Sequence, residues 1–242
     1  MKTSPTQPRK PLIAAILPAY NEERNVGAVL EVLRATQILD EIILVDDGSS
    51  DQTVELLRQF AESDPRARLI CHEKNQGKGQ AVFTGWAATN APYIIMLDSD
   101  LKNLHPEHVV ALIEPILDRR ADMTLGLFMG GHINTDFSHW ATPFLTGQRG
   151  LRADLLKYVS CEAAAGYGFE VALTVAAGQN GYRTRVVPLK GVWHPPSEFH
   201  RGLWFGVQWR MRMYGQIVRA WYIATSQRYP KVRDFFSSIT KP

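Results

Sequence analysis

Cysteine is scarce in this 242-residue chain: only Cys71 and Cys161 are present, in no metal-binding spacing. They give no disulfide framework and suit a reducing compartment. No apolar run approaches the length of a membrane-spanning helix, and the N-terminus lacks the apolar core of a signal peptide. The expected location is the cytoplasm, with peripheral contact at a membrane still open. An excess of one charge is lacking too. A net charge of +3 makes no case for nucleic acid as a partner. No internal repeat is found. With 45% apolar residues, the chain reads as one large domain or one domain with an appendage.

What is present is organised around Tyr93-Ile-Ile-Met-Leu-Asp-Ser-Asp100. The apolar run predicts a strand buried on both faces. It ends in two aspartates one residue apart, where ligands of an open parallel sheet bind. Such carboxylates repel unless a positive group is shared between them. Hard divalent cations take oxygen ligands, often one or two carboxylates plus substrate phosphates. Asp98 and Asp100 are therefore candidate metal ligands. The alternative is a polar turn, with Asp100 or Asn103 capping the helix after Pro106.

The rest of the first half repeats this layout. Leu12–Leu17 predicts a strand ended by Pro18, and a helix carries Val26, Val29, Leu30 and Leu33. Further strands are predicted at 41–45 and 68–71. Helices follow, one carrying Val54, Leu57 and Phe60 with Asp51 as N-cap, one from Asn75 through Trp86. Alternating strands and helices predict right-handed βαβ units on a mostly parallel, Rossmann-like α/β sheet. A helix from Glu107 and a strand at 122–128 come next. Residues 129–150 have no clear period, helices are expected at 153–157 and 170–177, and a strand at 184–188.

Each polar cluster of the first half lies just after a strand: Tyr20-Asn21-Glu22, Asp46-Asp47-Gly48-Ser49, Gln76-Gly77-Lys78-Gly79 and Asp98-Ser99-Asp100. Any one alone suits turn and capping chemistry. Four on one sheet edge predict a common crevice. Gly77 and Lys78, at a helix start, offer backbone N–H groups and a cation to phosphate, although the spacing is not that of a Walker A loop. Asp46 and Asp47 suit nucleobase N–H groups or ribose hydroxyls.

Leu-Pro-Ala-Tyr-Asn-Glu-Glu (17–23), Val-Asp-Asp-Gly-Ser-Ser-Asp (45–51), Asn-Gln-Gly-Lys-Gly (75–79) and Leu-Asp-Ser-Asp-Leu (97–101) occur in order. Together they resemble family 2-type glycosyltransferases of the GT-A fold, over roughly residues 12–125. The resemblance implies that Pro18, Ala19, Asn21 and Glu22 cradle the base and ribose of a nucleotide sugar. It gives Asp47 to the base, Lys78 to the diphosphate or base side, and Asp98 and Asp100 to Mg²⁺ or Mn²⁺. Gly130-Gly131, Leu145-Thr-Gly-Gln-Arg-Gly-Leu-Arg152 and Gly166-Tyr-Gly-Phe-Glu170 resemble glucosyl-3-phosphoglycerate synthases, as does the late histidine His194. That resemblance implies an acceptor site at Gly130, Gly131, His132, Gln148, Arg149 and Arg152, with His132 where those enzymes have an arginine. His194 would be a third metal ligand; the alternative is a partly buried histidine bonded to backbone. Polyprenol-phosphate sugar transferases are similar as well, but this chain has Lys102 two residues after its DxD, where they carry a polar ligand.

The expected activity is metal-dependent transfer of a sugar from a UDP- or GDP-linked donor to a hydroxyl or phosphate acceptor, a small molecule or a lipid phosphate. Asp100, Lys78, Glu170 and Arg149 are the candidate catalytic groups, with Arg152 adding charge. Asp136, Glu162 and Glu170 are candidate bases. The rivals are a nucleotidyltransferase and a non-catalytic nucleotide-sugar sensor. The expected boundaries are a flexible tail at 1–11, a nucleotide-sugar-binding half at 12–128, an acceptor-side half of the same domain at 129–200 and a helical extension at 201–242. That extension puts Trp204, Val207, Met211, Tyr214, Val218, Trp221 and Thr225 on one helical face from Leu203 to Thr225. Such a face suits a membrane surface, or burial against the domain or a second subunit.

Overall fold

The structure, a computed structural model, describes residues 12–130, 146–159 and 168–195. The tail, Gly131, His132, Asp136, Glu162, Cys161 and the helix expected at 203–225 lie outside the described residues, so expectations for them stay as stated.

The described residues form one seven-stranded sheet in the order β3-β2-β1-β4-β6-β5-β7. The strands are β1 (Ile13–Ala19), β2 (Glu41–Asp46), β3 (Ala67–Cys71), β4 (Tyr93–Met96), β5 (Met123–Met129), β6 (Arg149–Arg152) and β7 (Thr184–Lys190). All run parallel except β6, which lies antiparallel between β4 and β5. The helices are α1 (Val26–Ala35), α2 (Thr53–Ser63), α3 (Lys78–Ala87), α4 (Pro106–Leu117) and α5 (Phe169–Gln179).

Alternation along the strands divides the core between the two faces of the sheet. Ile13, Ala15, Leu17, Ile42, Leu44 and Ile95 pack with apolar residues of α1, α2 and α4. Ala14, Ile16, Ile43, Val45, Ile94 and Met96 pack with residues of α3 and α5. Both faces are covered, which explains why these strands read as unbroken apolar runs.

Two expectations need correction. Pro18 does not end β1, which continues to Ala19. The Ile16 carbonyl accepts from Leu97 N, and the Ala19 carbonyl from Asp47 N. Backbone groups of even-numbered β1 residues thus turn toward β4, whose pairing with β1 ends at Met96. The N–H that proline lacks would have met no ladder partner. The second correction is β6. Arg-Gly-Leu-Arg has neither alternation nor β-branched residues, so nothing local announces a strand; it forms because β4 and β5 hold it from both sides. The helix expected at 153–157 is present as the 3-10 helix Ala153–Tyr158.

The carboxyl ends of β1, β2 and β4 and the start of α3 meet along one edge. That edge carries the four polar clusters.

Candidate active site

Two of the strand-end loops are stitched into one platform. Asn21 N donates to Ser49 Oγ (3.0 Å), and Ser50 N donates to Asn21 Oδ1 (2.8 Å). Asn21 adopts a left-handed φ of 54°, which asparagine tolerates better than most residues. Glu22 N donates to Thr53 Oγ1 (2.7 Å), while Glu22 Oε2 accepts from Asn25 Nδ2 (2.7 Å). Burial raises the Glu22 carboxyl above its ordinary range, and Asp51 and Asp98 add to this. Tyr20 stands exposed at the rim; Pro18 and Ala19 are buried beneath it.

Asp46 and Asp47 are both buried but differ in use. Asp47 takes three donors: Oδ1 meets His72 Nδ1 (2.7 Å) and Gln76 N (2.9 Å), and Oδ2 accepts from Gly77 N (2.8 Å). It holds the loop that precedes Lys78. Asp46 Oδ2 accepts from Ser49 N (3.1 Å), whereas Oδ1 is buried and has no hydrogen-bond partner among the described residues. Buried polar atoms seldom go unpaired. Gly48, at φ 76°, lets the chain turn against the Lys74–Asn75 backbone, where a Cβ would collide.

The centre of the edge is an ion-pair chain. Lys78, the first residue of α3, puts Nζ 2.5 Å from Asp98 Oδ1 and 2.7 Å from Glu170 Oε1. Burial alone would lower the ammonium's pKa, but the two carboxylates outweigh it and hold the group above its ordinary value. Asp98 Oδ2 accepts from the buried Gln148 Nε2 (2.9 Å). Gly147 packs so closely that a Cβ there would run into Lys78 Nζ and both Asp98 carboxylate oxygens. Gln148, expected at the acceptor, orients Asp98.

Asp100 lies beside this chain. Burial and then Asp98 push its carboxyl up to about 6, against the opposing pull of His194; Glu22 adds to the rise. His194 is carried there by a backbone bridge, Lys102 N to Trp193 O (2.8 Å), and its ring meets Phe128 edge-on. Ser99 is buried between the two aspartates. Among the described residues no three His, Cys, Asp or Glu side chains close into a metal cage.

Two arginines fall elsewhere. Arg149 is wholly buried, its guanidinium donating to the carbonyls of Thr146 (2.9 Å) and Glu170 (3.0 Å) and to Thr174 Oγ1 (3.0 Å). Burial pulls its pKa down to about 10. It stands behind the site and fixes the α5 turn that presents Glu170. Arg152 pairs with Tyr93, at the opposite end of β4 from Arg149 and Met96. Antiparallel β6 carries it about 10 Å away from the crevice edge. There it bonds Asp154 (2.7 Å) and lines a separate cavity of about 430 Å³ with Arg119 and Arg183. Gly130 ends β5 with φ 75°.

The reading of the sequence missed His72 and Gly147. His72 follows β3 at once, so the rule that marked the other clusters, polar residues just past a strand, would have found it. Nothing local marks Gly147.

Comparison with known proteins agrees with this layout. The model of Glycosyl transferase family 2 matches residues 14–175. An uncharacterized protein of Methanocaldococcus jannaschii is 34% identical over 124 residues, 49% of this chain and 53% of that protein. An undecaprenyl-phosphate 4-deoxy-4-formamido-L-arabinose transferase of Pectobacterium carotovorum is 38% identical over 108 residues, 42% of this chain and 32% of that protein. The chain thus spans between a third and about half of the length of these curated relatives. In fold it is similar to glucosyl-3-phosphoglycerate synthase from Mycobacterium tuberculosis in complex with phosphoglyceric acid. The TM-score is 0.73, at 23% identity, over 89% of this chain and 80% of that one. The same enzyme with Mn²⁺, UDP-glucose and phosphoglyceric acid gives 0.70, at 23% identity, over 88% and 79%.

The contrast between the two adjacent aspartates is testable. Asp46→Ala removes an acceptor for a ligand N–H, a charged hydrogen bond of about 1.5–3 kcal/mol. Calorimetry should therefore show UDP or GDP binding weakened by about 10- to 150-fold. Unchanged affinity for both would exclude Asp46 from the nucleoside pocket.

Proposed function

The chain belongs to glycosyl transferase family 2, and from that premise we propose that it moves a sugar from a nucleoside diphosphate donor to a phosphate-bearing acceptor, aided by a divalent cation. The observation that carries this reading is the Lys78 ammonium held between Asp98 and Glu170 at the mouth of the strand-end crevice. A diphosphate arriving there with its cation would meet the Lys78 ammonium and the backbone N–H groups of the first turn of α3. Such preorganised charge acts on the negative charge that develops as the diphosphate departs. Asp46 Oδ1 supports a base that presents an N–H, as uracil and guanine do. The acceptor class rests on the relatives, whose names join undecaprenyl phosphate and phosphoglycerate through one shared group.

The residues fit a cation. Asp98 and Asp100 are two oxygen donors, and burial followed by the Asp98 charge raises the Asp100 carboxyl. With His194 beside them they would hold Mg²⁺ or Mn²⁺, the remaining ligands coming from substrate phosphates. The ion would supply Lewis-acid neutralisation of the leaving diphosphate. Gln148 and Lys78 fix the Asp98 carboxylate for that task. Glu170 holds Lys78.

Incubating the protein with labelled UDP- and GDP-sugars, Mn²⁺ and either soluble phosphate esters or polyprenyl phosphate tests the reading. Donor consumption should depend on one of these acceptors and be lost in Asp100→Asn. Pyrophosphate release would indicate a nucleotidyltransferase, and binding without turnover a sensor; either would overturn the proposal.

The raised Asp100 carboxyl adds a pH dependence. Its folded value, about 6, exceeds the ordinary 3.8. Between these values the folded protein keeps a proton that the unfolded chain has lost, so this group costs the metal-free protein stability as pH rises through the window. A cation must displace the same proton. Mn²⁺ measured calorimetrically with UDP present should bind about tenfold more tightly at pH 7.5 than at pH 5. Equal affinities would remove Asp100 from the ligand set.

A further inference from the structure

We propose that His72 is a positioning residue that sets Lys78 in the crevice through Asp47. Its imidazole side chain is only 7% exposed and joins three elements. The residue itself sits one position past β3, where its backbone N donates to the Asp46 carbonyl (2.9 Å). Nδ1 reaches Asp47 Oδ1, past the end of β2, at 2.7 Å. Nε2 reaches Thr84 Oγ1, on α3, at 2.9 Å. A carboxylate only accepts, so Nδ1 carries the hydrogen of the first contact.

The Asp47 carboxylate then has three donors: the imidazole and the backbone N–H groups of Gln76 and Gly77. Those two amides are the last before Lys78. Gly77 turns at φ 91°, and α3 begins at the next residue. The exposed run Glu73–Gln76 is thus tied down where it enters the helix. Thr84 is six residues beyond Lys78, about 9 Å along the helix. One imidazole therefore braces α3 from its side and, through Asp47, from its start. Replacing it leaves a buried carboxylate short of a donor, a loss that loosens the remaining contacts. Lys78 depends on this brace to reach Asp98 and Glu170 together.

The effect on turnover rests on the transferase reading, but the brace can be observed without it. Amide hydrogen exchange followed by mass spectrometry on the full-length protein reads Gln76 and Gly77 directly. His72→Leu keeps the bulk and removes the donor; exchange at these amides should rise at least tenfold. His72→Asn restores an N–H near the place of Nδ1 and should stay within threefold of wild type. In the donor assay kcat should fall at least tenfold in the leucine variant and recover in the asparagine variant. Unchanged exchange in His72→Leu overturns the proposal. If that variant does not fold, Thr84→Val, which loses one hydroxyl, must raise exchange at least threefold, and no change there overturns it equally. A wild-type protein that turns over no donor would sink the transferase reading alone, and the exchange result would still decide the brace.

Discussion

One ammonium group ties the crevice together. Lys78 belongs to the start of α3, Asp98 to the end of β4 and Glu170 to the first turn of α5, and the three meet within hydrogen-bonding distance. Two carboxylates brought this close would repel; the shared cation makes the arrangement stable, and they in turn keep it charged. Each partner has its own support. Gln148 holds the second Asp98 oxygen, and Arg149 holds the backbone of Glu170 from within the core. The absence of a side chain at Gly147 leaves room for the pair. The two carboxylates more than offset the ammonium, and Asp100 lies beside them, so the centre is set to take a cation, with the Lys78 ammonium within reach of a diphosphate that the cation brings.

Around this centre the loops are rigid by construction. The turn after β1 and the turn after β2 exchange hydrogen bonds through Asn21, Ser49 and Ser50, and Thr53 ties Glu22 to the start of α2. Asp47 takes three donors in holding the approach to Lys78, while Asp46 keeps one buried oxygen without a partner among the described residues. Two adjacent aspartates with the same residue type and the same burial therefore have different parts, set by which backbone amides surround each.

Much of this was legible in the sequence. Unbroken apolar runs ending in polar clusters identified the parallel strands and their common edge, because a strand covered on both faces has no polar period to hide its ends. That reasoning put Asp98, Asp100 and Lys78 on this edge as candidates, and the resemblance to family 2-type glycosyltransferases suggested their parts. The exceptions share a cause: they depend on partners distant in the chain. β6 is a strand only because β4 and β5 flank it. Its direction, invisible locally, sends Arg152 away from the crevice and buries Arg149 behind it. Nothing in Val-Asp-Asp-Gly tells Asp46 from Asp47, since the amides that occupy Asp47 come from residues 76 and 77. Pro18 looked like a strand end because its missing N–H matters only where a neighbour waits to receive it.

The central claim is that Lys78 supplies the charge on which transfer depends. The most direct measurement is kcat for donor turnover by Lys78→Met, on protein shown to be folded by circular dichroism. Loss of one preorganised donor of this kind costs about 10²–10³ in rate, and a fall of that size is expected. A variant that turns over within threefold of wild type would contradict the account.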